Sequence, residues 1–309
     1  MMLEFIKMVC IMPTMNIKKA YIIAGPTASG KSSLAHELAR RVNGTIINCD
    51  SVQIYSGIEN ISASPFAGRP LTGEIQGVPY KLFSILSLKE QITVADYVNM
   101  ARREYTRAIE EGRVPIFVGG TGYYINCLIN GIADIPEISP EIRKRARDLV
   151  ARDIVAARKM VPQCPAVDPQ RVARAVEVFM QTGRELNDWW ANARVGGISP
   201  TPYKILLNPP VDVLRLRVAT RVQKMIAGGA VAEVENIMKN RLNPRRAIGA
   251  EQLYLFMRGD ITQKVAISSW EIKTNQYAKR QRTWFFTQFE PNMVINHLPT
   301  MADVDLILK

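Results

Sequence analysis

The sequence is short of histidine, of paired cysteines and of long apolar runs, and each shortage excludes something. Two histidines, His36 and His297, cannot make a metal cluster, so acid–base chemistry falls to carboxylates. His36 lies just after a glycine-rich turn, in a helical pattern, and reads as structural. Four cysteines, Cys10, Cys49, Cys127 and Cys164, stand far apart with no Cys-x-x-Cys pair. That spacing argues against a zinc site and a disulfide framework, and it suits the reducing cytoplasm. No apolar run reaches the roughly 18 residues of a membrane span. The apolar patches of residues 1–17 are interrupted by Glu4 and Lys7 and lack a small-residue cleavage site. They read as a loosely ordered extension rather than a signal peptide, with Met15 a second candidate start.

What remains is ample for a packed fold: 309 residues, 47% of them apolar. Forty Lys and Arg against twenty-eight Asp and Glu leave a net charge of +12. A basic surface suits a polyanion such as nucleic acid, but it also serves solubility, so position must decide.

The strongest local signal is AYIIAGPTASGKS, residues 20–32. A short apolar, β-branched run reads as a buried strand. Gly25-Pro26-Thr27-Ala28-Ser29-Gly30-Lys31-Ser32 follows, and SSLAHELARRV continues at helical spacing. Strand, glycine-rich turn and helix are the context in which such a loop cradles phosphate on backbone N–H groups. Lys31 adds a charge and the Ser32 hydroxyl is placed to ligate Mg²⁺. The usual cargo of such a loop is a nucleoside triphosphate.

TIINCD (45–50) is a second strand ending in Asp50, at the sheet edge where ligands bind. Asp50 is an active-site candidate there, and Asp-Ser is equally good turn chemistry. Residues 60–80 read as a long surface loop, KLFSIL (81–86) as a short third strand, and Thr93 as the cap of a helix closed by Gly112. VPIFV is a buried strand, and Gly119-Gly120-Thr121-Gly122 opens a helix beyond it. An ATP-driven motor carries an acidic residue at the end of such a strand. Here glycines and Thr121 stand instead, which points to a second polar cradle.

From Asp134 to about Tyr203, helical stretches follow one another without a strand. Asp168 with Pro169 is a strong helix start. Arg143, Lys144, Arg145 and Arg147 cluster, and Arg171 and Arg174 lie three apart. These residues are either a solvated face or a nucleic-acid contact, while Trp189 and Trp190 read as bundle packing. KILLN (204–208) returns to the sheet, and the next helix places Arg217 and Arg221 at i, i+4, a spacing that can clamp a diphosphate opposite Lys31. EIKTNQYAKRQRTWFF (271–286) interleaves basic and aromatic residues. It fits either a phosphate backbone with bases nearby or a solvated helix with aromatics in the core.

GPTASGKS, INCDSVQIY, PIFVGGTGYY, DPQRVARAVEV and QYAKRQRTWF occur here in the same order as in the tRNA dimethylallyltransferases, which the chain resembles from about Lys18 to Phe286. The resemblance implies an α/β fold: a P-loop NTPase-like parallel sheet core flanked by helices, residues 18–133 and 204–309, with an inserted small all-helical domain, 134–203, that contacts tRNA. It implies transfer of a dimethylallyl group from dimethylallyl diphosphate to N6 of the adenosine 3′-adjacent to the anticodon, in tRNAs reading codons that begin with U. Asp50 would be the general base. Thr121, Lys31 and Arg217 would stabilise the departing diphosphate. Residues Gly25, Pro26, Thr27, Ala28, Ser29, Gly30, Lys31 and Ser32, with Arg221 and Mg²⁺, would hold it. Asp50, Ser51, Val52, Gln53 and Thr121 would meet tRNA. So would Arg143, Gln170, Arg171, Val172, Ala173, Arg174, Arg246, Gly249, Lys279 and Arg280. A monomer is expected.

The chain departs from the family pattern at Ile61-Ser62-Ala63-Ser64-Pro65, where a lysine is lost, and at Tyr80-Lys81-Leu82, Pro210-Val211, Gly249-Ala250-Glu251-Gln252 and Thr274-Asn275-Gln276. Lys31, Asp50 and Thr121 are intact. Two other activities fit the same loop: an adenylate isopentenyltransferase acting on free nucleotide, and a small-molecule P-loop kinase. A non-catalytic tRNA-binding relic is a further alternative.

Overall fold

The run Tyr21–Ala24 is apolar at every position, and in the structure, a computed structural model, all four residues are buried. Strands buried on both faces belong to parallel sheets covered by helices. The structure describes residues 20–191, 194–243 and 247–309; the expected extension, 1–17, lies outside them. Two compact units result. Residues 20–92, 100–125 and 200–309 make the first, and residues 93–99 and 126–199 the second.

In chain order the first unit begins with β1 (Tyr21–Ala24), α1 (Lys31–Val42), β2 (Gly44–Asn48), β3 (Glu74–Ile75) and β4 (Val78–Lys81). Next come α2 (Val94–Glu110), β5 (Val114–Gly119) and α3 (Gly122–Asn130), with unit boundaries inside both helices. The second unit holds β6 (Ile132–Ala133), α4 (Pro140–Arg152), α5 (Ile154–Met160), α6 (Pro169–Thr182), α7 (Leu186–Ala191) and β7 (Arg194–Val195). The first resumes with β8 (Tyr203–Leu207), α8 (Val211–Ala227), α9 (Ala230–Lys239) and α10 (Ala250–Met257). It ends with α11 (Gln263–Gln288), β9 (Met293–Ile295) and α12 (Met301–Ile307).

Seven strands form one sheet in the order β3-β4-β2-β5-β1-β8-β9, and every pairing is parallel except the edge hairpin β3–β4. Ile22 pairs with Phe117 on one side and Lys204 on the other. β1 is therefore an interior strand, and the crevice beyond its carboxyl end is the ligand position of open α/β sheets. Tyr21, Ile23, Ile46, Ile116 and Ile205 share a core with the α1 stripe Leu34, Ala35, Leu38, Ala39 and Val42, and with Val304 and Ile307 of α12. Leu38 is fully buried there, and truncating such a leucine to alanine costs about 2–5 kcal/mol. Among the described residues no helix is long and apolar enough to cross a membrane.

The edge of the sheet differs from the sequence reading. The strand is Val78–Lys81, not 81–86. Leu82 (φ 63°) and Ser84 (φ 52°) adopt left-handed backbone that cannot extend a ladder, while Gln76 and Gly77 (φ 51° and 78°) supply a two-residue hairpin turn. Nor are residues 60–80 a bare loop, since Ile61 and Phe66 are buried and the segment ends in the hairpin. His36 is structural: its Nδ1 and Nε2 meet the Tyr80 hydroxyl (2.9 Å) and Gln76 Oε1 (3.0 Å), tying α1 to that hairpin.

In the second unit, α4, α5 and α6 pack around Ala146, Val150, Ala157, Val172, Ala175 and Val176. Ser139, Asp153 and Asp168 cap the three helices with their side chains, and Pro follows the cap in α4 and α6. Each such cap is worth about 1 kcal/mol. The stretch from Asp134 to Tyr203 is not wholly helical as expected: Arg194–Val195 pairs antiparallel with Ile132–Ala133, and this two-residue ladder, β6–β7, completes the unit. Trp189 packs under Arg184 at 4.7 Å and bonds Thr182 Oγ1, whereas Trp190 is exposed.

Candidate active site

The glycine spacing of residues 25–30 dictates a tight loop. A Cβ on Gly25 would run into the Leu207 carbonyl. Ala28 has φ 65°, a left-handed conformation costing a non-glycine residue about 1–2 kcal/mol. The loop is supported from outside: Arg217 Nε donates to the Ala28 carbonyl at 2.7 Å, and Lys31 Nζ to the Pro26 carbonyl at 2.6 Å. α1 begins on Gly30 with no side-chain cap and no acid in its first turn. Its terminal N–H groups and positive dipole end are thus left for an anion. Ser29 Oγ is buried with no hydrogen-bond partner among the described residues. A cavity of about 510 Å³ opens here, lined by residues 28–33, by Asn60, Ala63, Ser64 and Ala67, and by the α8 face that carries Arg217, Arg221 and Lys224.

Asp50 is held by Asn48, which is fully buried. Asn48 Oδ1 accepts from the Asp50 N–H at 2.8 Å, and its Nδ2 donates to the Asp50 and Leu82 carbonyls. Asp50 Oδ1 accepts from the Val52 and Gln53 N–H groups at 2.9 and 3.3 Å, so the carboxylate caps its own turn. Thr121 lies against the same turn: its Oγ1 accepts from the Ser51 N–H at 3.0 Å and donates to Ser51 Oγ at 3.3 Å. Its backbone N–H donates to the Cys49 carbonyl. The loops after β2 and β5 are therefore one hydrogen-bonded body beside the phosphate loop.

Charge coupling defines the site further. Burial pulls the Lys31 ammonium down to about 7, Arg221 pushes it the same way, and Asp50 opposes both. Burial also lowers the Arg221 guanidinium, with Asp50 opposing. Tyr277 is raised far above its ordinary value, first by burial and then by the Asp50 charge, although Thr121 and Gln281 beside it work the other way. Two neighbouring cations, Lys31 and Arg221, thus face one carboxylate at the cavity wall.

The structure brings together Lys31, Asp50, Thr121, Arg217 and Arg221. Gln53 faces inward too, but its Nε2 is engaged by the Ser62 and Ala63 carbonyls at 3.1 and 3.0 Å. In the segment 170–174, Val172 and Ala173 are buried in the second unit, so only Gln170, Arg171 and Arg174 present side chains to solvent. Arg174 and Arg147 both pair with the buried Glu177, each at 3.4 Å. No ion pair among the described residues engages Arg143 or Arg171. Gly249 is buried with its α-carbon against the Trp270 ring, which leaves it a packing position. Lys279 and Arg280 are exposed, Arg280 lying over the Tyr277 ring at 5.8 Å. Arg246 lies outside the described residues.

Sequence reasoning passed over Asn48, Gln281 and Glu233. Gln281 had one signal. It falls on the stripe Ala266, Trp270, Thr274, Ala278, Gln281 and Phe285 that α11 buries, and an amide in such a stripe needs partners.

The family model for IPP transferase matches residues 53–288. A tRNA dimethylallyltransferase of Sphingopyxis alaskensis is 41% identical, over 93% of this chain and 95% of its own. One of Rhodospirillum rubrum is 37% identical, over 89% and 87%. Among solved structures, the full-length tRNA isopentenylpyrophosphate transferase of Bacillus halodurans is similar with a TM-score of 0.67 and 29% identity, covering 94% of both chains. A eukaryotic dimethylallyltransferase acting on tRNA shares the fold with a TM-score of 0.77 at 24% identity, covering 94% of this chain and 76% of that one. A mostly parallel sheet with a phosphate loop at the end of an interior strand is the P-loop NTPase-like class of α/β proteins. Within that class, the chain belongs to the IPP transferase family.

Proposed function

We propose that the protein transfers a dimethylallyl group from dimethylallyl diphosphate to N6 of the adenosine 3′-adjacent to the anticodon of tRNA, releasing diphosphate. One observation carries the reading. The turn bearing Asp50 and the turn bearing Thr121 are bonded to each other beside a cation-lined phosphate loop, with the Thr121 hydroxyl at the strand end where a motor ATPase keeps a metal-binding acid. The names of the relatives agree with it.

In this reading the diphosphate sits against the α1 N-terminus, with Lys31, Arg217 and Arg221 around it. The C1–O bond breaks and its electron pair leaves with the diphosphate. Fixed positive groups that already face the leaving oxygens stabilise that charge without reorganisation, which is usually the largest single contribution to catalysis. The N6–C1 bond forms, and the N6 proton passes to Asp50. A positioned base matters because the N6 lone pair is delocalised into the adenine ring. The Thr121 hydroxyl, anchored on Ser51, contacts the diphosphate. The adenosine leaves its stack to reach the electrophile.

The orphaned Ser29 hydroxyl and the uncapped helix end fit a diphosphate with its counter-ion. Among the described residues no group of three His, Cys, Asp or Glu could hold a metal alone, so Mg²⁺ would be held by the Ser32 hydroxyl together with diphosphate oxygens. Bound there, it would neutralise leaving-group charge. Ser51 to Gln53, Arg143, Gln170, Arg171, Arg174, Lys279 and Arg280 are the proposed tRNA contacts, and a cytoplasmic monomer is the proposed state.

The test is incubation with Mg²⁺ and radiolabelled dimethylallyl diphosphate, with total tRNA, AMP or no acceptor. Label in tRNA, mapped to that adenosine, is the expected result. Label in AMP alone makes the protein an adenylate isopentenyltransferase, and no label in either overturns prenyl transfer.

A further inference from the structure

Gln281 is 6% exposed, and its amide makes two bonds of 2.8 Å. Oε1 accepts from the backbone N–H of Thr27, inside the phosphate loop. Nε2 donates to the carbonyl of Gly120, the residue before Thr121. The partners lie 254 and 161 positions away in sequence, so no local structure joins them. The fit is tight, because a Cβ on Gly120 would strike the same amide. One helical turn earlier, Tyr277 lies beside the Thr121 side chain. The loop being gripped holds Ala28 in a left-handed conformation that it does not favour on its own.

We infer that Gln281 is a positioning residue that joins the phosphate loop and the Thr121 turn into one rigid body, with Tyr277 bracing the Thr121 hydroxyl. Its effect on diphosphate binding stands by itself, while its effect on transfer rests on the proposed prenyl transfer. Satisfying both partners takes a donor and an acceptor on one terminal carbon. Leucine offers neither. An ionised glutamate accepts from Thr27 but sets a second oxygen against the Gly120 carbonyl. A protonated glutamic acid does both jobs, and burial raises its pKa into an accessible range.

The experiment uses the full chain and the variants Gln281→Leu, Gln281→Glu and Tyr277→Phe. Calorimetric binding of inorganic diphosphate with Mg²⁺ is measured from about pH 5.5 to about pH 8. Transfer rates and thermal melting are recorded alongside. Taken relative to wild type at each pH, Gln281→Leu should bind diphosphate about tenfold more weakly throughout. Gln281→Glu should be equally weak at the high end and recover to within about threefold at the low end. Tyr277→Phe should bind within about twofold of wild type yet transfer about tenfold more slowly, with its melting point unchanged. Wild-type affinity in Gln281→Leu overturns the inference, and so does a Gln281→Glu profile parallel to that of Gln281→Leu. If the leucine variant does not fold, the pH recovery of the glutamate variant decides. Wild-type protein that binds diphosphate but labels no tRNA refutes the proposed function, and the Gln281 binding profiles still decide this inference.

Discussion

Gln53 and Arg221 donate to the same carbonyl oxygen, that of Ser62, each at 3.1 Å. One side chain comes from the turn that Asp50 caps and the other from α8, so the Ser62 peptide links that turn to the helix that lines the cavity. The turn carrying Ser62 is tied down by Glu233 of α9. That carboxylate accepts from the Asn60 N–H, Asn60 Nδ2 and the Ile61 N–H at 2.7, 2.8 and 2.9 Å. Burial raises the Glu233 pKa, and these three bonds to the ionised form oppose the rise.

Glu233→Ala removes all three bonds from a wall of the donor pocket. The expected outcome is a five- to tenfold rise in KM for dimethylallyl diphosphate, roughly 1–1.4 kcal/mol, with kcat nearly unchanged. Glu233→Gln keeps one acceptor oxygen and should fall between. Steady-state kinetics check this, and a loss confined to kcat would show that the turn does not shape donor binding.

Asp50 caps its turn as well as bearing a charge, so two substitutions separate the roles. Asparagine keeps the Oδ1 acceptor for Val52 and Gln53 and loses only the charge. Asp50→Asn should abolish turnover while leaving thermal stability and tRNA binding close to wild type. Asp50→Ala should abolish turnover and also lose about 1 kcal/mol of stability, the usual worth of such a cap. Undiminished turnover in either variant removes Asp50 from the role of base.

Lys31 gives a pH prediction with a definite sign. Its folded pKa is lowered to about 7, so without an anion it is largely neutral at pH 8. A bound diphosphate favours the ammonium form, so binding above that pKa must take up a proton and weaken as pH rises. Below it, Lys31 is already charged and contributes no uptake. Calorimetry in buffers of different ionisation enthalpy should record about one proton more taken up at pH 8 than in Lys31→Met, which binds weakly without it. The same linkage acts on folding. Between pH 7 and the unfolded value of 10.5 the unfolded chain holds the extra proton, so this group makes stability rise with pH across that window.

Arg171 and Arg174 lie three residues apart on α6 and should behave differently. Arg171 has no ion-pair partner among the described residues, and Arg171→Ala should weaken tRNA binding and reduce its salt slope by about one. Arg174 is held by Glu177, whose side chain is 6% exposed. Glu177→Ala would release Arg147 and Arg174 together, and the expected result is a lower melting temperature with tRNA affinity retained. Equal salt slopes for wild type and Arg171→Ala would remove α6 from the binding surface.

These residues also separate what local sequence carries from what only the tertiary fold creates. The phosphate loop, the Asp168-Pro169 helix start and the strand ending at Gly119 were legible because local chemistry carries them: glycine spacing, a cap, an apolar run. The edge strand was misplaced by a few residues because the left-handed backbone at Leu82 and Ser84 has no local marker. β9 is three residues long, too short for a period to register. In the candidate site, Lys31, Thr121, Arg217 and Arg221 came from motif and spacing. The amide of Gln281 and the carboxylate of Glu233 act on partners more than 150 positions away, so only tertiary structure reveals their work. Val172 and Ala173 are the converse case. The helical period that made the segment recognisable also turns these two side chains inward.

α1 starts on Gly30 without any side chain to cap it. A helix normally closes its first turn with a residue of its own chain, and here that closure is delegated to whatever anion the loop holds. The ligand is then a folding partner as well as a reactant. At a hundredfold excess over Kd it adds about 2.7 kcal/mol to the stability of the folded state. A fall in the supply of diphosphate ester would then narrow the stability margin of the folded state, and not lower turnover alone.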